Sequence, residues 1–158
     1  MKKRFLVFSL ALFLVILTSL AFAQDFHETK EKAMQGDAHA QFDLGMMYTE
    51  GKGVKQDHSQ AKLWYEKAAA QGYVQAQFNL GVMYDNGLGV AQDFSQAKLW
   101  YEKAAAQGFV DAQYNLGLMY KNGRGVKQDR SQAKLWFEKA AAQGDAQANK
   151  MLNQLKSN

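Results

Sequence analysis

Three consecutive stretches of this chain repeat one another. Residues 37–72, 73–108 and 109–144 are each 36 residues long. Between the first and second, 26 of 36 positions match, and between the second and third, 27 of 36, with no insertion. A fixed period of this size is the mark of a stacked solenoid. One unit cannot bury its own apolar face, so neighbours must cover it, and three units are about the minimum for stability.

Each unit reads as two helices. In the first unit Ala40, Leu44, Met47 and Tyr48 fall at i, i+4, i+7 and i+8, one face of a helix. Gly51-Lys52-Gly53-Val54 breaks that pattern with two glycines able to take positive φ. A second helix begins after Asp57, with Gln60 three residues on, the spacing of an N-cap and its capping-box partner. Asp93/Gln96 and Asp129/Gln132 repeat it. Ala61, Trp64, Tyr65, Ala68 and Ala69 form the apolar face, and Gly72, Gly108 and Gly144 close the helix. A partial unit lies at either end, 24–36 and 145–158. On the last helix Ala148, Leu152 and Leu155 face the core while Asn149, Lys150, Asn153 and Lys156 meet solvent. The expected fold is all-α, three helix pairs with a capping helix at each end. The 158 residues contain no proline to interrupt them.

Residues 1–23 stand apart and read as an export signal. Lys2, Lys3 and Arg4 precede an apolar run from Phe5 to Leu20, and Ala21-Phe22-Ala23 is a small-x-small cleavage site. The rival reading is an uncleaved anchor, because 5–23 is just long enough to span a bilayer. The leader also explains the charge. Of 19 basic residues it holds three, leaving 16 against 15 acidic and a net of +1 instead of +4. That balance argues against nucleic acid as the partner. The absence of cysteine excludes disulfides, thiolate metal sites and a cysteine nucleophile.

Ala76-Gln77-Phe78-Asn79-Leu80-Gly81, Met83-Tyr84, Gly87-Leu88-Gly89-Val90, Gln92-Asp93, Ala97, Trp100-Tyr101 and Lys103-Ala104-Ala105 recur in register across residues 29–152. In residue type and spacing they resemble the Sel-one-like repeat family, a branch of the tetratricopeptide-like helical solenoids. The resemblance implies a right-handed superhelix whose first helices line the concave side. It further implies an interaction scaffold, in a family whose bacterial members are often exported. Some cysteine-rich relatives resemble β-lactam-binding hydrolases. Those pair cysteines across each repeat, and that activity is not carried over here.

No side-chain constellation in the chain points to catalysis. His27, His39 and His58 are not part of the repeat, since Gln75/Asp111 and Phe94/Arg130 replace the last two. Ser59, Ser95 and Ser131 lack a partner at activating spacing. Gly51-Lys52-Gly53 and Gly123-Arg124-Gly125 follow no strand and precede no Gly-Lys-Ser/Thr, so they read as turns with Val54, Val90 and Val126 plugging the core. Asp85-Asn86-Gly87 lacks a calcium-loop pattern. Trp64, Trp100 and Trp136 read as core, and Lys62/Glu66 and their copies as a solvated i,i+4 face. No catalytic residue, metal ligand or cofactor is assigned.

The positions that differ between units carry the functional signal. On the first helices they form a strip facing away from the expected core. The strip is His39, Asp43, Met46 and Glu50 in unit one, and Gln75, Asn79, Val82 and Asn86 in unit two. In unit three it is Asp111, Asn115, Leu118 and Asn122. Each combines groups that can bond a peptide backbone with one apolar residue. The expected partner is an extended peptide or a helix of another protein. Asn79 and Asn115 are its central contacts, pointing outward and replaceable without harm to the fold. The alternatives are an envelope hydrolase of the β-lactamase kind and a binder of cell-wall glycan or peptide. The expected location is the periplasm or the exterior. A chain ending at Gly108 is expected to uncover apolar positions such as Leu99.

Overall fold

A computed structural model describes residues 24–157. The 1–23 segment, with its cleavage site, lies outside them. The described chain opens with helix α1 over 24–34. Six helices of 13 residues follow: α2 (Ala38–Glu50), α3 (His58–Ala70), α4 (Val74–Asn86), α5 (Phe94–Ala106), α6 (Val110–Asn122) and α7 (Arg130–Ala142). Helix α8 (Ala146–Ser157) closes the chain. No strand occurs among the described residues. Helices pair as α2/α3, α4/α5 and α6/α7, and each second helix packs on the first helix of the next unit. The fold is the expected all-α solenoid.

The helix ends follow local chemistry. Asp57 and Asp93 accept hydrogen bonds from the backbone N–H groups of the second and third residues that follow, and Asp129 from Gln132. The reciprocal half of the capping box does not form. The Asp57 N–H donates instead to the Tyr48 carbonyl at 2.9 Å, as Asp93 does to Tyr84 and Asp129 to Tyr120. That bond ties each second helix to the end of its partner. Gly51, Gly87 and Gly123 end the first helices in the left-handed region, near φ +70°. The second helices close at Gly72, Gly108 and Gly144, also at positive φ.

Packing within a pair depends on a glycine. Tyr65, Tyr101 and Phe137 are almost fully buried, and each ring lies against the glycine of the partner helix, Gly45, Gly81 or Gly117. A Cβ on any of these glycines would sit 2.5 Å from the ring. Leu44, Leu80 and Leu116 complete the layer, fully buried. Between units, the second glycine of the loop makes a similar close approach. Gly89 meets the His58 backbone and Gly125 the Phe94 backbone, so the loop of one unit seats on the second helix of the unit before it.

Two of the three tryptophans depart from the expected core role. Trp64 is buried at 7% exposure, but Trp100 and Trp136 are half-buried. Lys67, Lys103 and Lys139 lie over the three rings at 3.8, 3.9 and 4.1 Å from the centroids. Trp100 and Trp136 thus roof the edge of the core under a cation, and the residue after each one fills its centre. Leu99 likewise does not wait for truncation to be uncovered. It is 44% exposed in the intact chain, because its helix turns Ala97, Tyr101, Ala104 and Ala105 inward instead.

A glutamine relay runs along the stack. Gln41, Gln77 and Gln113 are buried. Gln71 Nε2 donates to the Gly36 carbonyl and to Gln41 Oε1, both at 2.9 Å. Gln107 does the same to Gly72 and Gln77, and Gln143 to Gly108 and Gln113. Each buried amide also donates to a carbonyl eight residues earlier, Ala33, Ala69 or Ala105. The terminal helices enter the same scheme. Ala33 and Phe26 of α1 cover Ala40, Leu44 and Met47, while Ala148, Met151, Leu152 and Leu155 of α8 cover Phe137 and Ala140.

Candidate functional site

The varying residues of α2, α4 and α6 lie on one continuous face. Within it the structure sorts them by depth. His39, Glu50, Gln75, Asn86, Asp111 and Asn122 are exposed, whereas Asp43, Met46, Asn79, Val82, Asn115 and Leu118 are half-buried. The apolar members are partly spent on stacking: Met46 packs into the second unit's core, Val82 into the third's, and Leu118 against α8.

Asn79 and Asn115 are not free outward groups. Asn79 Nδ2 lies 3.6 Å from Met46 Sδ of the preceding unit. The same amide is close enough to the Tyr65 hydroxyl to favour its ionised form, and that hydroxyl pairs with Thr49 at 3.1 Å. Asn115 stands in the same relation to Tyr101. Burial pushes both phenols above the ordinary tyrosine value, with Thr49 and the asparagines opposing it. For Tyr101 the charge of Asp85 pushes the same way, second to burial. Asp85 in turn pairs with Arg124 of the next unit at 2.5 Å, and that guanidinium lies 4.8 Å over the Phe94 ring. The two asparagines are therefore half-buried neighbours of buried hydroxyls and not the fully outward groups expected from spacing. Repeat comparison could not reveal this, because the partner hydroxyl is 14 residues away and assigned to the core.

The face is hollowed at both ends. Near α1, a cavity of about 250 Å³ is lined by Asp43, Met46 and Glu50 together with Asp25, Thr29 and Lys52. The Lys52 ammonium is 3.7 Å from Asp25. Near α8, a cavity of about 510 Å³ is lined by Asn122 with Lys121, Gln128, Arg130 and Leu155. The first cavity thus carries three carboxylates and Lys52, the middle of the strip amides, and the second cavity two cations, with Asp111 adding an exposed carboxylate at the start of α6. At the first end His39 bridges two partners, with Nδ1 2.7 Å from the Tyr73 hydroxyl and Nε2 3.4 Å from Asp43. Among the described residues no three His, Cys, Asp or Glu side chains are grouped to hold a metal ion. No described helix is long and apolar enough to cross a membrane.

Comparison with known proteins agrees with this architecture. The Sel1 repeat model matches three times, at residues 38–73, 74–109 and 110–145. The chain belongs to the Sel1 repeat family, whose members are in general protein-interaction scaffolds. It is similar to a protective antigen of uropathogenic Escherichia coli with an SLR fold, 46% identical at a TM-score of 0.76. The match covers 78% of this chain and only 26% of the antigen. A Sel1 repeat protein from Oxalobacter formigenes is 45% identical over 83% of this chain and 98% of its own, with a TM-score of 0.75. Cysteine-rich protein B of Helicobacter pylori shares the fold at 22% identity and a TM-score of 0.67, over 82% of this chain and 96% of that one. No curated protein matches the chain.

Proposed function

We propose that this chain is an exported, non-enzymatic scaffold that docks an extended peptide or a partner helix along the shared face of α2, α4 and α6. The observation that carries the reading is where the repeats differ. From Ser59 to Gly72 and its copies the three units differ only in Phe137 standing for tyrosine, while all four strip positions change from the first unit to the second and two of them, at Gln75/Asp111 and Val82/Leu118, again from the second to the third. A surface that reads a sequence must offer different groups to successive residues of its ligand. The charge order supports a polar orientation: a cationic ligand residue belongs near Asp43 and Glu50, an anionic one near Lys121 and Arg130. Met46, Val82 and Leu118 supply the apolar floor. Export rests on the leader, and the periplasm or exterior is the location it implies. The β-lactamase-like alternative draws no support from a relative that shares only the fold.

The test begins with capture of the partner from the envelope of the producing cell. The exposed residues are then the ones to change. Gln75→Ala with Asn86→Ala and Asn122→Ala should weaken binding by roughly 1–3 kcal/mol where they leave buried ligand groups unpaired. Their melting temperature should stay at the wild-type value. Wild-type affinity in this triple variant would remove the interface from the face. Asn79 and Asn115 belong to a second round, with stability measured alongside.

A further inference from the structure

The opposite side of the stack carries a second pattern, independent of the peptide-docking reading. Leu63, Leu99 and Leu135 occupy the same position in α3, α5 and α7 and are 44, 44 and 43% exposed. Lys67, Lys103 and Lys139 lie one turn further along the same helices, also exposed. No core requirement holds a leucine at a position so open. Exposed positions of the first helices and loops have diverged freely between the same units, as Lys52, Leu88 and Arg124 show. The outer face has not diverged at all: Ser59, Gln60, Leu63, Lys67 and Ala70 are identical in their copies.

Identical groups on successive units suit a partner that looks the same to each of them. A folded protein without such repeats does not, because it presents different side chains along its length. A lipid surface does. Its charge is set by the lysines. The glutamates of these helices are already matched, Glu66 to Lys62 at 2.5 Å, Glu102 to Lys98 at 2.7 Å and Glu138 to Lys134 at 3.6 Å. Lys67, Lys103 and Lys139 have a tryptophan face as their partner, which leaves their positive charge uncompensated. Two copies of the chain meeting through this ridge would bring together six such cations. We propose that the outer face of α3, α5 and α7 is a peripheral docking surface for an anionic lipid bilayer, with the three leucines entering the interface and the three lysines lying at headgroup level.

Trp100 and Trp136 are half-buried under the lysines of this face, which makes it directly observable, while Trp64 is buried. The experiment mixes the full chain with vesicles of phosphatidylglycerol bearing brominated acyl chains and follows tryptophan emission. Quenching is expected with these vesicles, weakened by salt, and little with brominated phosphatidylcholine. K67E/K103E/K139E should lower partitioning by about a hundredfold or more. L63S/L99S/L135S should also abolish quenching, with helicity by circular dichroism unchanged. The charge-reversal variant keeps the test decisive should the leucine variant lose its fold. The proposal is overturned by three results. One is an unquenched wild type on anionic vesicles. Another is quenching retained in the charge-reversal variant, which would mean that another segment brings the chain to lipid. The third is a lipid-free dimer that the leucine variant dissolves, which would assign the ridge to self-association.

Discussion

Single residues divide here into those that make close approach possible and those that fill the space. Gly81 and Tyr101 are such a pair. Gly81→Ala places a methyl 2.5 Å from a buried ring held on every side. It should destabilise by about 1–3 kcal/mol or more, read from urea unfolding. Phe137→Ala should cost about 3–5 kcal/mol, whereas Trp100→Ala, half-exposed beneath Lys103, should cost clearly less. Equal losses would restore the tryptophan to the core. The buried phenols add a pH signature. A tyrosine whose folded pKa lies above its unfolded value of about 10 favours the folded state only while protonated, so stability declines as pH rises beyond that point. Burial, and then Asp85, raise Tyr101 in this way. Tyr101→Phe should make the alkaline decline shallower. Lys62 and Lys98, raised by their glutamate partners, titrate in the same direction and leave a residual slope.

At the level of elements, helix starts are not equivalent. Asp93 holds two backbone N–H groups of α5, while Tyr73 and Phe109 offer no side-chain cap to α4 and α6. Asp93→Ala should cost about 1 kcal/mol by thermal unfolding, and Asp93→Asn much less. The glutamine relay acts between elements. Gln107→Ala leaves Gln77 Oε1 without its partner inside the stack and should cost about 1–3 kcal/mol. Asn79 shows why the candidate site was only partly legible. Its variation between units marked it as surface, and its place on the helix turned it away from Leu80. What the periodicity could not show is that Tyr65 of the preceding unit lies beside it. The second helices were read more fully, since capping aspartates, alanine spacing and terminal glycines act locally. Of their tryptophans Trp64 is core as read, whereas Trp100 and Trp136 were misassigned, because a large aromatic at a regular position looks the same whether it fills a core or roofs it.

For the whole molecule, each helix pair is covered mainly by its neighbours, so stability belongs to the stack. A chain ended at Gly108 keeps α5 but loses α6, and Ala97, Ala104, Ala105 and part of Tyr101 lose their cover. Such a fragment should show reduced helicity by circular dichroism and aggregate on size exclusion. A monomeric fragment unfolding as cooperatively as the full chain would overturn the nearest-neighbour picture. The exposure comes from these alanines and not from Leu99, which is open already.

The 36-residue period, the glycine punctuation and the aspartate caps determined the fold class by themselves, because a repeated amphipathic unit has few ways to bury its apolar faces. The same repetition exposed the strip on α2, α4 and α6, together with the loops, as where the units vary. Depth on that strip was decided only when the helices stacked. Met46 and Asn79 are adjacent because one unit leans on the next, and Gly45 matters because Tyr65 arrives from the partner helix. The charge order of the face was likewise decided in three dimensions, where α1 brings Asp25 beside Asp43 and α8 brings Leu155 beside Arg130. Periodicity is a property of one helix, read along its own axis. Which side chain covers which depends on the distance and angle between helices, and those are set by packing.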